Sequence, residues 1–476
     1  MANVLLVEPD YMNKYPPLGL MKISTYHKAK GDTVIFCKGK NKELRKGKWD
    51  RIYVSTLFTF YWKRTINTIE YYYKSVNKPS DIYIGGVMAT ILYDDLNRHP
   101  SIRGVTVIPG LLDKPGMLGK DKVIVDLLPP DYSIIDRRQN KYLDYEYPTS
   151  DAYIAYATRG CIRKCEFCAV PIIEPEFNHY ISIKDQVRYI KENFGEKRDL
   201  LLLDNNVLAS KKLENIINDI IELGFGRDNN NYSYMKYGKK ITVNRYVDFN
   251  QGTDARLLTE DKMKLLSKIA IHPLRIAFDH AHEEYVKLYV SKVRMAAEYG
   301  IKNLSNYILF NYTDTPEDFY NRLKINVELN EEFENKGYET RIWSFPMKYS
   351  PISGEHCKDR KYIGPKWNRK YLRGIHCILN STHGVVGPKK TFFEKAFGRN
   401  IDEFKKIILM PEEYIIYREQ NELNGNIAEW ENDLNNLNDK YTQFFDIIKD
   451  KPAKEIEFIE DDNINNVLKH YKAINE

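Results

Sequence analysis

The chain has 476 residues, of which 43% are hydrophobic and 29% are charged. This length exceeds that of one ordinary domain, and the apolar fraction excludes a disordered or collagen-like chain. Lys and Arg number 72 against 66 Asp and Glu, so the net charge is +6, which is too small to indicate a class of partner.

Two features of the sequence bear on its location. No stretch of eighteen uncharged apolar residues occurs, so we expect no transmembrane helix and no membrane partner. The chain begins directly with a strand pattern, without a basic and then apolar leader, which predicts a cytoplasmic protein. In that compartment six cysteines do not indicate a disulfide framework.

Residues 1–112 alternate strand and helix patterns. The predicted strands are Val4–Val7, Thr33–Cys37, Arg51–Thr56, Asp81–Ile84 and Val105–Ile108, and the predicted helices are Leu18–Lys30, Trp62–Lys74 and Ala89–Asn97. This order predicts an α/β domain with a doubly wound parallel sheet. Such a sheet binds ligands beyond the carboxyl ends of its strands, or it serves only as a scaffold.

The rest of the chain divides into three predicted regions. Residues 113–150, rich in Pro, Gly, Asp and Tyr, predict a linker over the surface. Residues 151–350 predict a partial (β/α)6 TIM-type barrel, with an exposed loop at Arg227–Lys240, and residues 351–476 predict a mainly helical region. The predicted barrel strands are Tyr153–Ala157, Leu200–Leu203, Val247–Asn250, Leu274–Phe278, Ser305–Phe310 and Arg341–Phe345.

Three of the six cysteines lie within eight residues, directly after the first predicted barrel strand. Cys161, Cys165 and Cys168 are spaced by four and three residues, so their thiolates can converge on one face of a cubane iron–sulfur cluster. A structural zinc site normally uses four ligands in two pairs, and no second pair accompanies these three. Three ligands leave one iron of a [4Fe–4S] cluster open to a substrate or cofactor.

This CxxxCxxC motif, with Phe167 before the last cysteine, resembles that of the radical S-adenosylmethionine superfamily. The resemblance implies that the open iron chelates S-adenosylmethionine and that one electron cleaves it to methionine and a 5′-deoxyadenosyl radical, which takes hydrogen from the substrate. It also implies an external electron donor such as flavodoxin or ferredoxin. The residues that match the family's S-adenosylmethionine contacts are Phe167, Asp204, Asn205, Asn250, Gln251, Asp254 and Arg256.

Residues 1–112 resemble the cobalamin-binding domain that precedes many such barrels. The loops that carry the resemblance contain Glu8, Pro17, Leu18, Ser55, Thr56, Leu57, Gly85 and Gly86. The D-x-H-x-x-G signature is missing, because the loop after the first strand reads Pro9-Asp10-Tyr11-Met12-Asn13-Lys14. The resemblance implies either bound cobalamin, which would supply a methyl group, or a domain that shapes the substrate pocket without it.

The other cysteines have no clear partner in the sequence. His356-Cys357 and His376-Cys377 are two His-Cys pairs that could ligate zinc or an auxiliary cluster, or they are ordinary partly buried cysteines. Cys37 ends a predicted strand and is expected in the core.

The resemblance implies a radical S-adenosylmethionine enzyme, with methyl transfer to an unactivated carbon as the first candidate reaction. The alternatives are a cobalamin-free rearrangement or cyclisation enzyme, a methylthiotransferase-like enzyme, and a non-catalytic iron–sulfur module that binds nucleic acid. The sequence leaves the substrate open among small molecules, peptides and nucleic acids.

Overall fold

A computed structural model describes residues 1–472 and divides them into two compact units. The first unit comprises Met1–Leu274 and Ser350–Tyr362. The second comprises Arg275–Tyr349 and the described residues from Ile363 onwards. No helix within residues 1–472 is long and apolar enough to cross a membrane.

A five-stranded parallel sheet opens the first unit, as predicted from the strand and helix order. Its strands are β1 (Asn3–Glu8), β2 (Thr33–Lys38), β3 (Arg51–Thr56), β4 (Ile82–Gly86) and β5 (Thr106–Ile108). They are ordered β2-β1-β3-β4-β5, a doubly wound order in which the direction of progression reverses between β1 and β3. Val4–Val7 are fully buried, as expected for a central strand that is covered on both faces.

Nine helices lie in the described part of the first unit. They are α1 (Leu18–Ala29), α2 (Lys42–Lys46), α3 (Trp62–Tyr72), α4 (Val87–Ile91), α5 (Tyr93–Arg98), α6 (Val170–Ile173), α7 (Ile183–Phe194), α8 (Leu213–Ile220) and α9 (Glu260–Leu266).

The segment 113–150, for which the sequence predicts a surface linker, forms two short 3₁₀ turns at Val125–Leu127 and Tyr132–Ile135. It also buries Leu143 and Tyr147, and the Tyr147 hydroxyl donates to the Glu8 carboxylate at the end of β1. Apolar and tyrosine side chains among its prolines therefore pack this segment into the interior of the first unit.

A second, three-stranded parallel sheet in the first unit follows this segment. The strands in this part of the chain are β6 (Ala152–Ala155), β7 (Asp199–Leu202), β8 (Asn231–Lys236), β9 (Lys239–Asn244) and β10 (Val247–Phe249). The sheet has the order β10-β7-β6, and all three of its strands are buried.

Strands β8 and β9 form a mostly exposed antiparallel hairpin, so the segment Arg227–Lys240 is exposed as predicted but contains strand rather than loop structure. Tyr237 and Gly238 both have positive φ, which is the conformation that a two-residue hairpin turn requires. The rings of Tyr232 and Tyr234 stack along β8 with centroids 5.8 Å apart. The sequence shows no strand pattern here, because neither face of the hairpin packs into a core and most of its residues are therefore polar.

The second unit contains a three-stranded sheet of β11 (Leu274–Arg275, at the unit boundary), β12 (Asn303–Phe310) and β13 (Arg341–Lys348), in the order β11-β12-β13. Its helices are α10 (Glu283–Glu298), α11 (Pro316–Asn335), α12 (Arg369–Ser381), α13 (Lys390–Phe397), α14 (Ile401–Leu409), α15 (Glu412–Ile416), α16 (Arg418–Leu423), α17 (Asn426–Asn435), α18 (Tyr441–Ile448) and α19 (Asp462–Lys472).

All six strands predicted for the barrel form, and the molecule has the predicted mixed α/β character with parallel sheets. In the described chain these strands belong to two three-stranded sheets rather than to one continuous sheet. The TIM-type barrel therefore stays a prediction.

Candidate iron–sulfur site and adjoining cavity

The three clustered cysteines lie on the segment that follows β6, residues 160–173, here called the cysteine segment, and all three are half-buried. The Cys168 N–H donates to the Cys165 carbonyl over 3.0 Å, which turns the chain between the last two thiols. The Cys161 sulfur accepts from the Arg163 N–H over 3.4 Å and from the Asn206 side-chain amide over 3.5 Å. Accessible cysteine sulfurs with amide donors on one of them fit the chemistry of an iron–sulfur cluster.

A close backbone approach at Gly160 defines the start of this segment. Arg159 and Asn178 exchange two backbone hydrogen bonds, of 3.2 and 2.9 Å, which close the base of the loop. Gly160 has a φ of +76°, and a Cβ there would lie 2.2 Å from the Glu176 carbonyl oxygen. Only glycine therefore fits this position.

Asp204 joins the end of β7 to the start of the cysteine segment. Its buried carboxylate accepts from the Ala157 N–H, the Thr158 N–H and the Thr158 hydroxyl. Burial raises the pKa of Asp204 to about 6, although these hydrogen bonds oppose that shift. The contact with S-adenosylmethionine that the resemblance implies for Asp204 stays a prediction.

Asp254 forms an ion pair with Arg163 of the cysteine segment. Arg163 Nε lies 2.9 Å from Asp254 Oδ2, and Arg256 pairs with both oxygens at 2.6 and 3.0 Å. Burial opposes ionisation, but the hydrogen bonds from Arg256 and Arg163 outweigh it and lower the pKa of Asp254. The guanidinium of Arg256, which the resemblance places in contact with S-adenosylmethionine, is thus paired with both oxygens of Asp254 in this structure.

A buried chain of alternating charges lies on the other side of the cysteine segment. Arg159 Nη2 lies 3.0 Å from Glu174 Oε1, and Arg159 Nη1 lies 3.5 Å from Asp126 Oδ1. Lys22 of α1 pairs with the same Asp126 oxygen at 3.3 Å. Glu174 also accepts from the Gly160 N–H over 2.7 Å. These contacts tie the cysteine segment to the first sheet's α1 through the segment 113–150.

A cavity of about 480 Å³ lies at the carboxyl ends of the strands of both sheets in the first unit. It is lined by every residue of the predicted cobalamin-domain loops, namely Glu8, Pro17, Leu18, Ser55, Thr56, Leu57, Gly85 and Gly86. From the second sheet it is lined by Tyr156, Leu203, Asn205 and Gln251, and from the two sides of the cysteine segment by Arg159 and Glu174. The predicted loops therefore meet around one site.

Bound cobalamin stays a prediction of the resemblance. The volume of the cavity falls in the range of about 300–1,000 Å³ that is typical of ligand sites. The loop Pro9–Lys14 offers no histidine, and its Tyr11 is buried against Thr65.

Of the remaining predicted S-adenosylmethionine residues, Phe167 is half-buried within the cysteine segment. Asn250 is buried at the end of β10, where its side-chain amide donates to the Tyr15 hydroxyl and its oxygen accepts from Gln251 Nε2 over 2.9 Å. Their contacts with that cofactor stay predictions.

The two His-Cys pairs lie in different units. Cys357 packs against Met88 and Leu92 in the first unit, and burial raises the pKa of its thiol. Cys377 lies on α12 in the second unit, 3.8 Å from Glu412, and burial raises the pKa of its thiol to about 11. Cys37 is fully buried in the core of the first sheet, as expected, and burial raises the pKa of its thiol to about 12.

The residues that the sequence missed are those that hold the cysteine segment: Lys22, Asp126, Arg163, Glu174 and Asn206. Arg163 lies within the motif, which was the one available signal. The others come from separate parts of the chain, and only folding brings them together.

No family model matches the chain, and no curated protein is similar to it. The crystal structure of Streptococcus suis SuiB bound to precursor peptide SuiA aligns with 54% of this chain and 54% of that chain, at 13% sequence identity and a TM-score of 0.32. The match thus covers about half the length of each chain, and its similarity is too low to establish a shared fold.

Proposed function

We propose that the chain is a radical S-adenosylmethionine enzyme that holds a [4Fe–4S] cluster with Cys161, Cys165 and Cys168. The observation that carries the proposal is the placement of these three half-buried thiols on one loop at the end of a parallel strand, beside a cavity. Bound there, the cluster would supply the electron that cleaves S-adenosylmethionine to a 5′-deoxyadenosyl radical.

The protein's own residues have distinct tasks in this proposal. Asp204 and Glu174 fix the start of the cysteine segment by accepting from the Thr158 and Gly160 N–H groups. Asp254 restrains Arg163 between the first two cysteines. An external donor such as flavodoxin or ferredoxin supplies the electron, in the reducing cytoplasm.

The loop Pro9–Lys14 lacks the histidine of the D-x-H-x-x-G signature, which favours a reaction without cobalamin. We therefore propose hydrogen abstraction from a small molecule, followed by rearrangement or cyclisation, ahead of cobalamin-dependent methyl transfer. Retention of the cobalamin spectrum after incubation with hydroxocobalamin and desalting would reverse this order.

The test is anaerobic reconstitution with iron and sulfide, followed by dithionite and S-adenosylmethionine. We expect about four irons per chain and the release of 5′-deoxyadenosine. Cys165→Ala should lose the cluster and the product because it removes a ligand. Cys37→Ala is the matched control and should retain both, since Cys37 lies in the core of the first sheet.

An intact cluster without 5′-deoxyadenosine would contradict the enzymatic proposal and favour a non-catalytic iron–sulfur module. Full iron content in Cys165→Ala would contradict the ligand assignment.

A further inference from the structure

We propose that the cavity of the first unit binds the substrate, and that this substrate is an uncharged, largely apolar molecule of drug size that carries a hydroxyl or carbonyl oxygen. Its role as substrate rests on the proposed function, whereas its chemical class follows from the cavity itself. The cavity lies where β1 and β3 diverge, the position at which doubly wound sheets bind ligands.

The walls of the cavity are mainly apolar. Leu18 and Ile23 of α1, Leu57 after β3, Ile108 of β5 and Leu118 all line it. A preformed apolar cavity with few polar groups selects ligands by the apolar surface that they bury. A nucleotide or a sugar would leave most of its polar groups unpaired against such walls.

The charged side chains at the wall already neutralise one another. Lys22, Asp126, Arg159 and Glu174 form the alternating chain described above, with two positive and two negative members. Glu8 is paired with Lys38 at 2.6 Å. A ligand with a net charge would therefore meet no uncompensated opposite charge, and its burial would be costly.

Two buried polar atoms of cavity-lining residues remain for a ligand. Within residues 1–472, neither the Ser55 hydroxyl nor Arg159 Nε has a hydrogen-bond partner. Buried polar groups are normally paired, so these atoms indicate where a ligand oxygen binds. A hydroxyl or carbonyl oxygen suits both, because Arg159 Nε only donates and a serine hydroxyl donates or accepts.

The site also adjoins the proposed cluster. Asn205 lines the cavity, and the next residue, Asn206, donates to the Cys161 sulfur. A molecule in the cavity would therefore lie beside the loop that holds the cluster, as the substrate of a radical enzyme must.

The test measures binding of three probes to the full chain by equilibrium dialysis: 2-naphthol, which is neutral and has one hydroxyl, naphthalene, and anionic 2-naphthoate. We expect 2-naphthol to bind at least about tenfold more tightly than 2-naphthoate. Ser55→Ala should weaken 2-naphthol binding about fivefold and leave naphthalene binding unchanged, because it removes one hydrogen bond.

Gly85→Leu provides a second, steric test. A Cβ at Gly85 has only ordinary contact, 3.7 Å from the Ile108 carbonyl oxygen, so the strand tolerates it while the rest of the side chain fills the cavity. This variant should lose at least about tenfold in affinity for both neutral probes. Ser101→Leu adds the same side chain at an exposed position and should bind as the wild type does.

Equal or tighter binding of 2-naphthoate would overturn the proposed ligand class, and unchanged binding in Gly85→Leu would overturn the location. Iron content and 5′-deoxyadenosine are measured on the same wild-type preparation. A chain that binds 2-naphthol but forms no cluster contradicts the proposed function alone. A chain that forms the cluster but binds no neutral probe contradicts the present inference alone.

Discussion

Asp204 shows how one buried carboxylate can organise a loop that lies distant in sequence. It receives the last backbone N–H groups before the cysteine segment, together with the Thr158 hydroxyl, and so determines where that segment leaves β6. Because the side chain is fully buried, desolvation opposes its ionisation, while these donors and the charge of Arg159 favour it.

We predict that Asp204 makes the stability of the protein depend on pH between about 4 and 6. Its folded-state pKa of about 6 lies above the ordinary value of 3.8, so within this window the folded state holds the proton that the unfolded state releases. Raising the pH through the window should therefore lower the free energy of unfolding, by at most about 3 kcal/mol.

Asp204→Asn keeps an acceptor oxygen but cannot titrate. The thermal midpoint of the wild type should therefore fall relative to that of the variant as the pH rises from 4 to 6, and the difference should then level off. Parallel profiles across this window would contradict the prediction.

At the scale of the element, the cysteine segment is a loop held at its base rather than a part of a helix or strand. The Arg159–Asn178 backbone pair and the Glu174 carboxylate fix it, and Gly160 lets the two chains approach. These contacts at the base of the loop can therefore hold the three thiols near one another, although the thiols do not lie on a helix or strand.

We predict that Gly160→Ala will lose iron after reconstitution, because the added Cβ must displace the Glu176 carbonyl oxygen and open the loop. The matched control is Gly195→Ala, which has a similar φ of +80° but no atom within 4 Å of the added Cβ. Both variants should lose about 1 kcal/mol through backbone strain, and only Gly160→Ala should lose the cluster. Equal iron content in the two variants would exclude a role for the close approach.

The strands and the cysteine motif were predictable from local pattern, whereas their surroundings were not. Val4–Val7 predicted a buried strand because every residue is apolar, and the motif predicted ligands because spacing alone brings thiols together. The partners of Glu174 lie on separate segments, and no local pattern encodes an ion pair that tertiary folding forms. The hairpin was missed because its Tyr237-Gly238 turn joins strands that carry no core face.

At the scale of the molecule, the chain alternates between the two units. After β13 the segment Ser350–Tyr362 belongs again to the first unit. There Cys357 covers Met88 and Leu92, and Lys358 pairs with Asp95 at 2.5 Å. The single predicted barrel at 151–350 contains the boundary between the units, because sequence periodicity identifies strands but not the sheet that each one joins.

We predict that a fragment of residues 1–274 will be less stable than the same fragment joined by a flexible linker to residues 350–362. The returning segment supplies the apolar cover of Met88 and Leu92, so its loss exposes that surface. The thermal midpoint and the binding of a hydrophobic dye report this difference. A linked segment that carries Cys357→Asp is the control and should not restore stability. Equal midpoints for all three fragments would show that the segment contributes nothing.

The order in which the chain leaves the ribosome gives this returning segment a further consequence. Residues 275–349 must be translated before the segment that completes the first unit emerges. At about 5–20 residues per second this interval is on the order of ten seconds. During this interval Met88 and Leu92 are not covered by Cys357. The nascent first unit therefore exposes an apolar patch that chaperones can bind until Ser350–Tyr362 has been translated.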